Sequence, residues 1–318
     1  MVQENGKLNK LVSVVIPAHN EAAGIEYAIN EIRHVLDFCE IRYELIVVDD
    51  GSRDGTFEKV RELERNIRGV KGVQFSRNFG KEAALLAGIK AAKGDAVITM
   101  DADLQHPPAL IPEMLAKWKE GFKVVHGLKR DRVGDNILTR WRALAFNRLL
   151  YLLGGIDMQH SSDFKLLDRM AVEVIVQQLP EKCRFYRGLA DWVGFEQIGI
   201  PFSVQSRRAG KGKWSTIALI DLATTATVSF TSAPLRIVSM LGLATLTLGV
   251  FVSVEALWSW FRGKAVSGFT TIIITLLILG SFIMISLGIV GEYIAKMYEE
   301  IKGRPSYVVT SRCGFEDE

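Results

Sequence analysis

The sequence predicts an α/β fold, with a mostly parallel, doubly wound sheet flanked by helices, followed by a hairpin of two transmembrane helices. Two observations support this prediction. Over the first 130 of 318 residues, short apolar runs alternate with segments of helical spacing, which is typical of a parallel sheet. Near the C-terminal end, residues 237–254 and 265–291 contain no charged side chain, and both stretches reach the ~18 residues that a membrane-spanning helix needs.

The apolar runs have the length and composition of buried parallel strands. Residues 11–16 (LVSVVI) end at Pro17, and residues 43–48 (YELIVV) end at Asp49. The same pattern predicts further strands at 72–76, 96–100 and 123–127. The intervening helices are predicted at 21–38, 54–66, 81–92 and after the prolines at 107 and 108. Because ligands of such sheets bind beyond the carboxyl ends of the strands, polar residues at those ends are the candidate site.

Flanking charges predict how the hairpin is oriented in a membrane. Four cations stand at the outer ends of the two apolar stretches and two in the loop between them: Arg236, Lys296, Lys302 and Arg304 against Arg262 and Lys264. Positive residues favour the cytoplasmic side, so we expect both termini and the α/β domain there, at an inner or plasma membrane. A hairpin buried in a soluble protein is the alternative, but buried helices of that length without a polar stripe are uncommon.

Composition excludes several other classes. A net charge of +3 is too small a bias to indicate a nucleic-acid binder. The three cysteines, Cys39, Cys183 and Cys313, are widely spaced and form no C-x-x-C pattern, which fits a reducing compartment and no zinc site. The N-terminal segment MVQENGKLNK lacks the apolar centre of a signal peptide.

Two acidic pairs follow predicted strands. Asp101 and Asp103 alternate after the run AVITM and should share a side, where their charges repel unless a cation lies between them. Mg²⁺ takes one or two carboxylates together with substrate phosphates, and Gln105 adds a neutral oxygen. A solvated turn with an Asp capping the next helix is the alternative. Asp49 and Asp50, at another strand end, can accept hydrogen bonds from ribose hydroxyls or a base edge. This combination favours a nucleoside diphosphate with a metal.

The glycine motifs of other nucleotide-binding folds are missing. The chain has neither G-x-x-x-x-G-K-[ST] nor G-x-G-x-x-G after a strand, which argues against a P-loop enzyme or a dinucleotide-dependent dehydrogenase. A diphosphate would therefore be held by metal and side chains.

Several motifs together resemble family 2 glycosyltransferases of the GT-A nucleotide-diphospho-sugar transferase fold: VSVVIPAHNE, ELIVVDDGSRDGT, RNFGKEAAL and DADLQHPP. The later segments RRAGKGKWS, TSAPLR and GEYIAKMYEEIKGRPSY resemble the polyprenyl-phosphate glycosyltransferases. That group includes dolichol-phosphate mannose synthase and the two-span bacterial undecaprenyl-phosphate glucosyl- and aminoarabinosyltransferases. The resemblance covers nearly the whole chain.

The resemblance implies an inverting transfer of a sugar from a nucleotide diphosphate to the phosphate of a membrane polyprenyl lipid. Glucose from UDP-glucose is the expected donor, with mannose, aminoarabinose or an N-acetylhexosamine as alternatives. The implied cofactor is Mg²⁺ or Mn²⁺, with Asp101, Asp103 and Gln105 as its ligands. The implied nucleotide-sugar contacts are Pro17, Ala18, Glu21, Asp50, Lys81 and Asp101.

The catalytic base is predicted among the residues of GGIDMQHSSDFKLLDR. Relatives show an Asp where His160 stands here, so Asp157 and Asp163 are the candidate carboxylates, with Asp157 preferred and His160 as an alternative. A phosphate monoester has its second pKa near ~6, so the acceptor is largely a dianion at neutral pH and a strong base is not required.

Cations are expected beside two phosphate groups. Arg207 and Lys213 lie in a glycine-rich segment that could close over the diphosphate. Arg130 and Arg140 are the candidates for the acceptor phosphate. A solvated surface position is the alternative for each, and the preferred one for Arg208 and Lys211.

The domain prediction places the catalytic domain at 1–213, an amphipathic interface helix and linker at 214–234, transmembrane helices at about 236–260 and 267–291 within 235–295, and a cytoplasmic tail at 296–318. Residues 136–153 also fit a helix in the headgroup layer, or equally one facing the core. Small residues in the spans permit a homo-oligomer. A processive polysaccharide synthase is disfavoured because no Q-x-x-R-W motif is present, and a non-catalytic nucleotide-binding scaffold or flippase component is the alternative from another class.

Overall fold

A computed structural model describes residues 10–129, 162–179, 181, 186–203, 231–263 and 268–315. Within these residues, eight strands form one sheet in the order β7-β5-β6-β4-β1-β2-β3-β8. Strands β3, β2, β1 and β4 run parallel, β6 is antiparallel to both of its neighbours, and β8 is antiparallel to β3. The strands are β1 Leu11–Ala18, β2 Arg42–Asp49, β3 Val70–Phe75, β4 Ala96–Thr99, β5 Val124–Lys129, β6 Lys165–Asp168, β7 Gln197–Phe202 and β8 Val309–Cys313. The predicted α/β architecture with a mostly parallel sheet is confirmed.

Helices cover both faces of the sheet. They are α1 Ile25–Phe38, α2 Thr56–Asn66, α3 Lys81–Ala91, α4 Ile111–Lys119, α5 Arg169–Glu173, α6 Tyr186–Trp192, α7 Ala233–Phe261 and α8 Phe269–Ile301. Helix α4 follows a 3-10 turn at Pro108–Leu110, and α5 continues into a π-helical turn at Val174–Gln178. One core cluster joins the sheet to α1, α2 and α4, and a second joins it to α3, α5 and α6. Because β1 and β2 are covered on both sides, they read in the sequence as continuous apolar runs.

Helix α3 lies very close to the central strands. Seven consecutive residues of this helix, 83–89, are buried. A Cβ added to Gly88 would lie 2.2 Å from Cγ1 of Val15 and 3.1 Å from Cγ2 of Val48. The glycine is therefore required by the close approach of the helix to β1 and β2.

Helices α7 and α8 form the predicted two-helix hairpin. Helices α7 and α8 contain 29 and 33 residues. Their most apolar stretches have mean hydropathies of 2.2 and 2.7, and none of the residues in these stretches is buried. At ~1.5 Å per residue, each helix is longer than the ~30 Å hydrocarbon layer of a bilayer. By length and composition, both helices can cross a membrane. Tyr293 of α8 donates a hydrogen bond of 2.6 Å to the carbonyl of Thr231, just before α7.

After α8 the chain returns to the sheet. Seven residues, 302–308, separate Ile301 from β8, whose first residue Val309 pairs with Phe75 at the carboxyl end of β3. The amide of Ser76 donates to the carbonyl of Val308 at 3.0 Å. The hairpin is therefore tied to the α/β domain at the edge where the parallel strands end. Strands β6, β7 and β8 are additions to the elements that the sequence predicts.

We expect Gly88→Ala to destabilise the α/β domain by about 1–3 kcal/mol, because its methyl group would overlap Val15 in a close-packed core. Thermal unfolding of the full-length protein in detergent, followed by tryptophan fluorescence, measures the effect. Gly24→Ala is the matched control, since its Cβ would meet only Glu21 at an ordinary 3.7 Å. Equal melting temperatures for the two variants would contradict the close approach.

Candidate active site

A cavity of about 620 Å³ lies at the carboxyl ends of β1, β2 and β4. It brings together nine of the sequence-predicted site residues: Pro17, Ala18, Glu21, Asp50, Lys81, Asp101, Asp103, Gln105 and Asp163. Asp157, Arg130, Arg140, Arg207 and Lys213 lie outside the described residues, and so does most of the predicted interface segment 214–234. Three further side chains with functional chemistry, His19, Glu82 and Arg187, also line the cavity.

Asp50 fastens the loop that leads into α3. Its Oδ1 accepts from the amide of Phe79 at 2.6 Å, and its Oδ2 accepts from the amide of Gly80 at 2.9 Å. The neighbouring Asp49 is fully buried, accepts from the amide of Ser52, and does not line the cavity; burial raises the pKa of its carboxyl. Of the acidic pair, only Asp50 reaches the cavity, with both oxygens already holding backbone amides.

The turn after β4 carries the predicted metal ligands. Asp103 accepts a hydrogen bond from the amide of Gln105 at 3.0 Å, and Leu104 between them has φ of 55°. A left-handed conformation is uncommon for a leucine and costs on the order of 1 kcal/mol, so the tight turn is held by its surroundings. Below it, the ring of His106 stacks on Phe164, with 5.2 Å between the centroids.

The donors of this turn fit a divalent cation that shares its ligands with a diphosphate. Among the described residues, no three His, Cys, Asp or Glu side chains converge on one point. The cavity instead offers two carboxylates, Asp101 and Asp103, together with the amide of Gln105. Mg²⁺ is typically bound in this way, by one or two carboxylates with the remaining positions filled by phosphate oxygens and water.

Asp163 is clamped by two cations. Its Oδ2 lies 2.6 Å from Nζ of Lys81, while Arg187 donates to Oδ1 from Nε at 2.6 Å and to Oδ2 from its terminal nitrogen at 3.0 Å. Burial would raise the pKa of Asp163, but the charges of Lys81 and Arg187 hold that pKa well below its usual range. A carboxylate that is held ionised, with both oxygens paired, is suited to position cations and poorly suited to accept a proton.

Arg187 is a site residue that the sequence does not reveal. It lies 24 positions after Asp163 on the short helix α6, and no motif or spacing connects the two. A buried cluster fixes this helix: Nζ of Lys165 donates to Oδ1 of Asp191 at 3.1 Å and to the carbonyl of Arg187 at 3.3 Å. His126 of β5 contacts the same ammonium at 2.9 Å. The cluster therefore holds α6 where Arg187 can reach Asp163.

Glu82 is the second residue of α3 and was not predicted. Its Oε2 accepts a hydrogen bond from the amide of Tyr186 at 2.8 Å, which links α3 to α6. Burial, and next the charge of Asp163, raises the pKa of Glu82 to about 7. The first turn of α3 thus places a carboxyl that titrates near neutrality beside a permanently charged ion pair.

Two family models match this chain. Glycosyl transferase family 2 matches residues 13–177, which include most of β1, all of β2 to β6 and every cavity-lining residue except Arg187. The GtrB C-terminal hairpin matches residues 233–297, which cover α7 and most of α8. The chain belongs to glycosyl transferase family 2, with the GT-A fold, and it is a glycosyltransferase.

Relatives align over almost the full length. An uncharacterized glycosyltransferase from Synechocystis sp. is 38% identical, and the alignment covers 96% of both chains. The SfII prophage-derived bactoprenol glucosyl transferase of Shigella flexneri is 33% identical over 94% of this chain and 97% of its own. Among solved structures, glucosyl-3-phosphoglycerate synthase from Mycobacterium tuberculosis, in complex with Mn²⁺, UDP-glucose and phosphoglyceric acid, is 24% identical. That comparison covers 70% of this chain and 79% of the other, with a TM-score of 0.48.

We expect Glu82→Gln to stabilise the protein at pH 8 relative to wild type, and to do so less at pH 6. The folded-state pKa of Glu82 lies above its unfolded value, so wild-type stability from this group falls as the pH rises from about 4.5 to about 7. The free energies of unfolding of the two proteins should differ by at most about 3 kcal/mol. The glutamine can still accept the hydrogen bond from the amide of Tyr186. Melting temperatures of wild type and Glu82→Gln, measured across this pH range, test the prediction. A pH-independent difference between the two proteins would contradict the assignment.

Proposed function

We propose that this chain transfers a glucosyl residue from UDP-glucose to the phosphate of a membrane polyprenyl lipid, giving a polyprenyl-monophosphate glucose. The observation that carries the proposal is the 33% identity to a bactoprenol glucosyl transferase over 94% of this chain, which includes both the cavity and the hairpin. A nucleotide-binding scaffold or flippase component would not need a buried Asp163 held by Lys81 and Arg187 beside a divalent-cation donor set.

We further propose that α7 and α8 span the membrane, with the α/β domain and both termini in the cytoplasm. The path of the chain supports a cavity that faces the lipid surface. Seven residues between α8 and β8 reach at most about 25 Å, and β8 begins at the edge of the sheet where the cavity lies. An acceptor lipid could therefore present its phosphate to the cavity while its prenyl chain stays in the bilayer.

In the proposed reaction, an acceptor phosphate oxygen attacks the anomeric carbon from the face opposite the nucleotide. The new carbon–oxygen bond forms as the bond to the β-phosphate oxygen breaks, and its electron pair leaves on UDP, so the configuration is inverted. Asp101, Asp103 and Gln105 would hold the metal, which supplies charge stabilisation for the leaving diphosphate. Lys81 lies in the same cavity and can add a hydrogen bond to a phosphate oxygen.

The transfer does not require Asp163 to act as a base. Its oxygens are engaged by Lys81 and Arg187, and the acceptor phosphate is largely a dianion at neutral pH, with its second pKa near ~6. We propose that Asp163 positions the first turn of α3 through its contact with Lys81. Asp157 remains the preferred candidate for the catalytic carboxylate. Arg130 and Arg140 are the predicted ligands of the acceptor phosphate, and Arg207 and Lys213 are the predicted cations over the diphosphate.

We expect purified protein in detergent to move labelled glucose from UDP-glucose into an organic-extractable polyprenyl phosphate product in the presence of Mg²⁺ or Mn²⁺. Asp103→Asn should reduce the rate at least about 100-fold, because it removes a charged metal ligand. Chelation should abolish transfer, and added metal should restore it. Glu113→Gln, at an exposed position of α4, is the control with the same change of charge. Undiminished transfer by Asp103→Asn would contradict the metal assignment.

The choice of donor can be tested without catalysis. Bound radiolabelled UDP-glucose should be displaced by UDP at much lower concentrations than by GDP, since a site specific for uracil should bind guanine more weakly. Displacement by GDP instead would refute the UDP assignment and point to a mannosyl donor. No extractable product from any sugar nucleotide would refute the transferase proposal itself.

A further inference from the structure

The ammonium of Lys81 occupies a cation position on a predicted metal ligand. Its Nζ lies 2.6 Å from Oδ1 of Asp101 and 2.6 Å from Oδ2 of Asp163. A divalent metal bound by Asp101 would need the same carboxylate. The contact with Asp101 therefore competes with metal, whereas the contact with Asp163 does not.

The two carboxylates that share Lys81 differ in accessibility. Asp163 keeps only 6% of its side-chain surface exposed and is also held by Arg187 through two hydrogen bonds. Asp101 keeps 26% exposed and Lys81 keeps 38%, and both line the open cavity. The inner contact is consequently fixed, and the outer contact can be exchanged without dismantling the buried ion pair.

We propose that Lys81 holds the place of the metal when neither metal nor donor is bound, and that it exchanges partners when the donor binds. Asp101 passes from the ammonium to the arriving divalent cation, and the hydrogen bond that Lys81 loses is replaced by one to an oxygen of the nucleotide diphosphate. Lys81 keeps its contact with Asp163 throughout. The inference deepens the proposed function and rests on it only for the class of ligand, a divalent metal with a nucleoside diphosphate.

Charge balance gives the exchange a thermodynamic consequence. Metal binding without nucleotide would place a divalent cation beside an ammonium that shares its carboxylate, and like charges a few ångströms apart repel strongly in a partly buried site. A diphosphate supplies negative oxygens to both cations and relieves that repulsion. Metal and nucleotide should therefore bind with positive coupling, and the coupling must be reciprocal, with typical values of about 5–150-fold.

Arg187 does not duplicate this role. Its two hydrogen bonds both go to Asp163, so it neutralises the buried carboxylate when Lys81 is replaced. For that reason a neutral side chain at position 81 should leave the folded site intact. Lys90 is a suitable control because it lies on the same helix α3, is exposed, and borders a different cavity on the far side of the helix.

The test measures Mn²⁺ binding to the full-length protein in detergent by the electron paramagnetic resonance signal of free Mn²⁺, with and without UDP. In wild type we expect UDP to tighten Mn²⁺ binding by about tenfold or more. In Lys81→Met, we expect Mn²⁺ alone to bind about tenfold more tightly than in wild type, and UDP to add little. Lys90→Met should match wild type in both conditions.

Three outcomes would overturn the exchange. The first is that Lys81→Met, without UDP, binds Mn²⁺ as wild type does or more weakly. The second is that Lys81→Met binds Mn²⁺ more tightly than wild type by the same factor with and without UDP, which would indicate only the removal of a positive charge. The third is that UDP does not change Mn²⁺ binding in wild type. Lys81→Arg supplies a second arm: it keeps a cation beside Asp101 and should retain the weak binding of Mn²⁺ alone. Because no sugar transfer is measured, failure of the exchange leaves the proposed transfer standing, and failure of transfer in the donor assay leaves the exchange standing.

Discussion

The ion pair between buried Asp163 and the two cations Lys81 and Arg187 is the interaction on which the rest of the site depends. It joins three parts of the fold: the entry to β6, the first turn of α3 and the helix α6. Removing one partner of such a buried pair typically costs 3–5 kcal/mol, because it leaves an uncompensated charge in a poorly solvated place. Here each carboxylate oxygen has a cationic partner, and the second cation limits that cost at position 81. The arrangement therefore gives α3 a fixed position while Lys81 still presents its outer side to the cavity.

The sheet topology explains why these residues meet. Strand β6 runs antiparallel to β4, so the residue just before β6 lies beside the residue just after β4, and Asp163 comes next to the turn that carries Asp101. The hydroxyl of Thr99, the last residue of β4, donates to the carbonyl of Asp163 at 2.5 Å. The close packing at Gly88 seats α3 against β1 and β2, which carries Lys81 to the same edge. An antiparallel strand inserted in a parallel sheet thus delivers a loop carboxylate to the edge where the parallel strands end.

Local sequence patterns predicted the first part of the α/β domain, from β1 to β5, but not the strands that follow it. Strands β1 to β5 and helices α1 to α4 were predicted within a few residues, because buried parallel strands are continuous apolar runs and the helices have clear spacing. Strand β6 has only four residues, and β8 alternates half-buried and exposed residues, so neither has a distinctive apolar signal. The cavity lining was predictable for residues that directly follow strands. Arg187 was not, since only the tertiary course of α6 brings it to Asp163, and Glu82 was missed because its buried environment is not visible in the sequence.

The length of α8 bears on how a lipid acceptor could reach the cavity. The charge-free stretch ends at Gly291, but the helix continues to Ile301, so its last ten residues add about 15 Å and carry Glu292, Lys296, Glu299 and Glu300. If α7 and α8 span the bilayer as proposed, these last ten residues of α8, nearly three helical turns, lie beyond the membrane. Together with the seven residues that follow, they hold the sheet edge above the headgroups rather than within the hydrocarbon. Moving a prenyl chain out of the bilayer costs much free energy, whereas its phosphate already lies at the surface. Such a tether favours recognition of the acceptor through its charged head, which fits a site whose chemistry consists of cations, carboxylates and a place for a divalent metal.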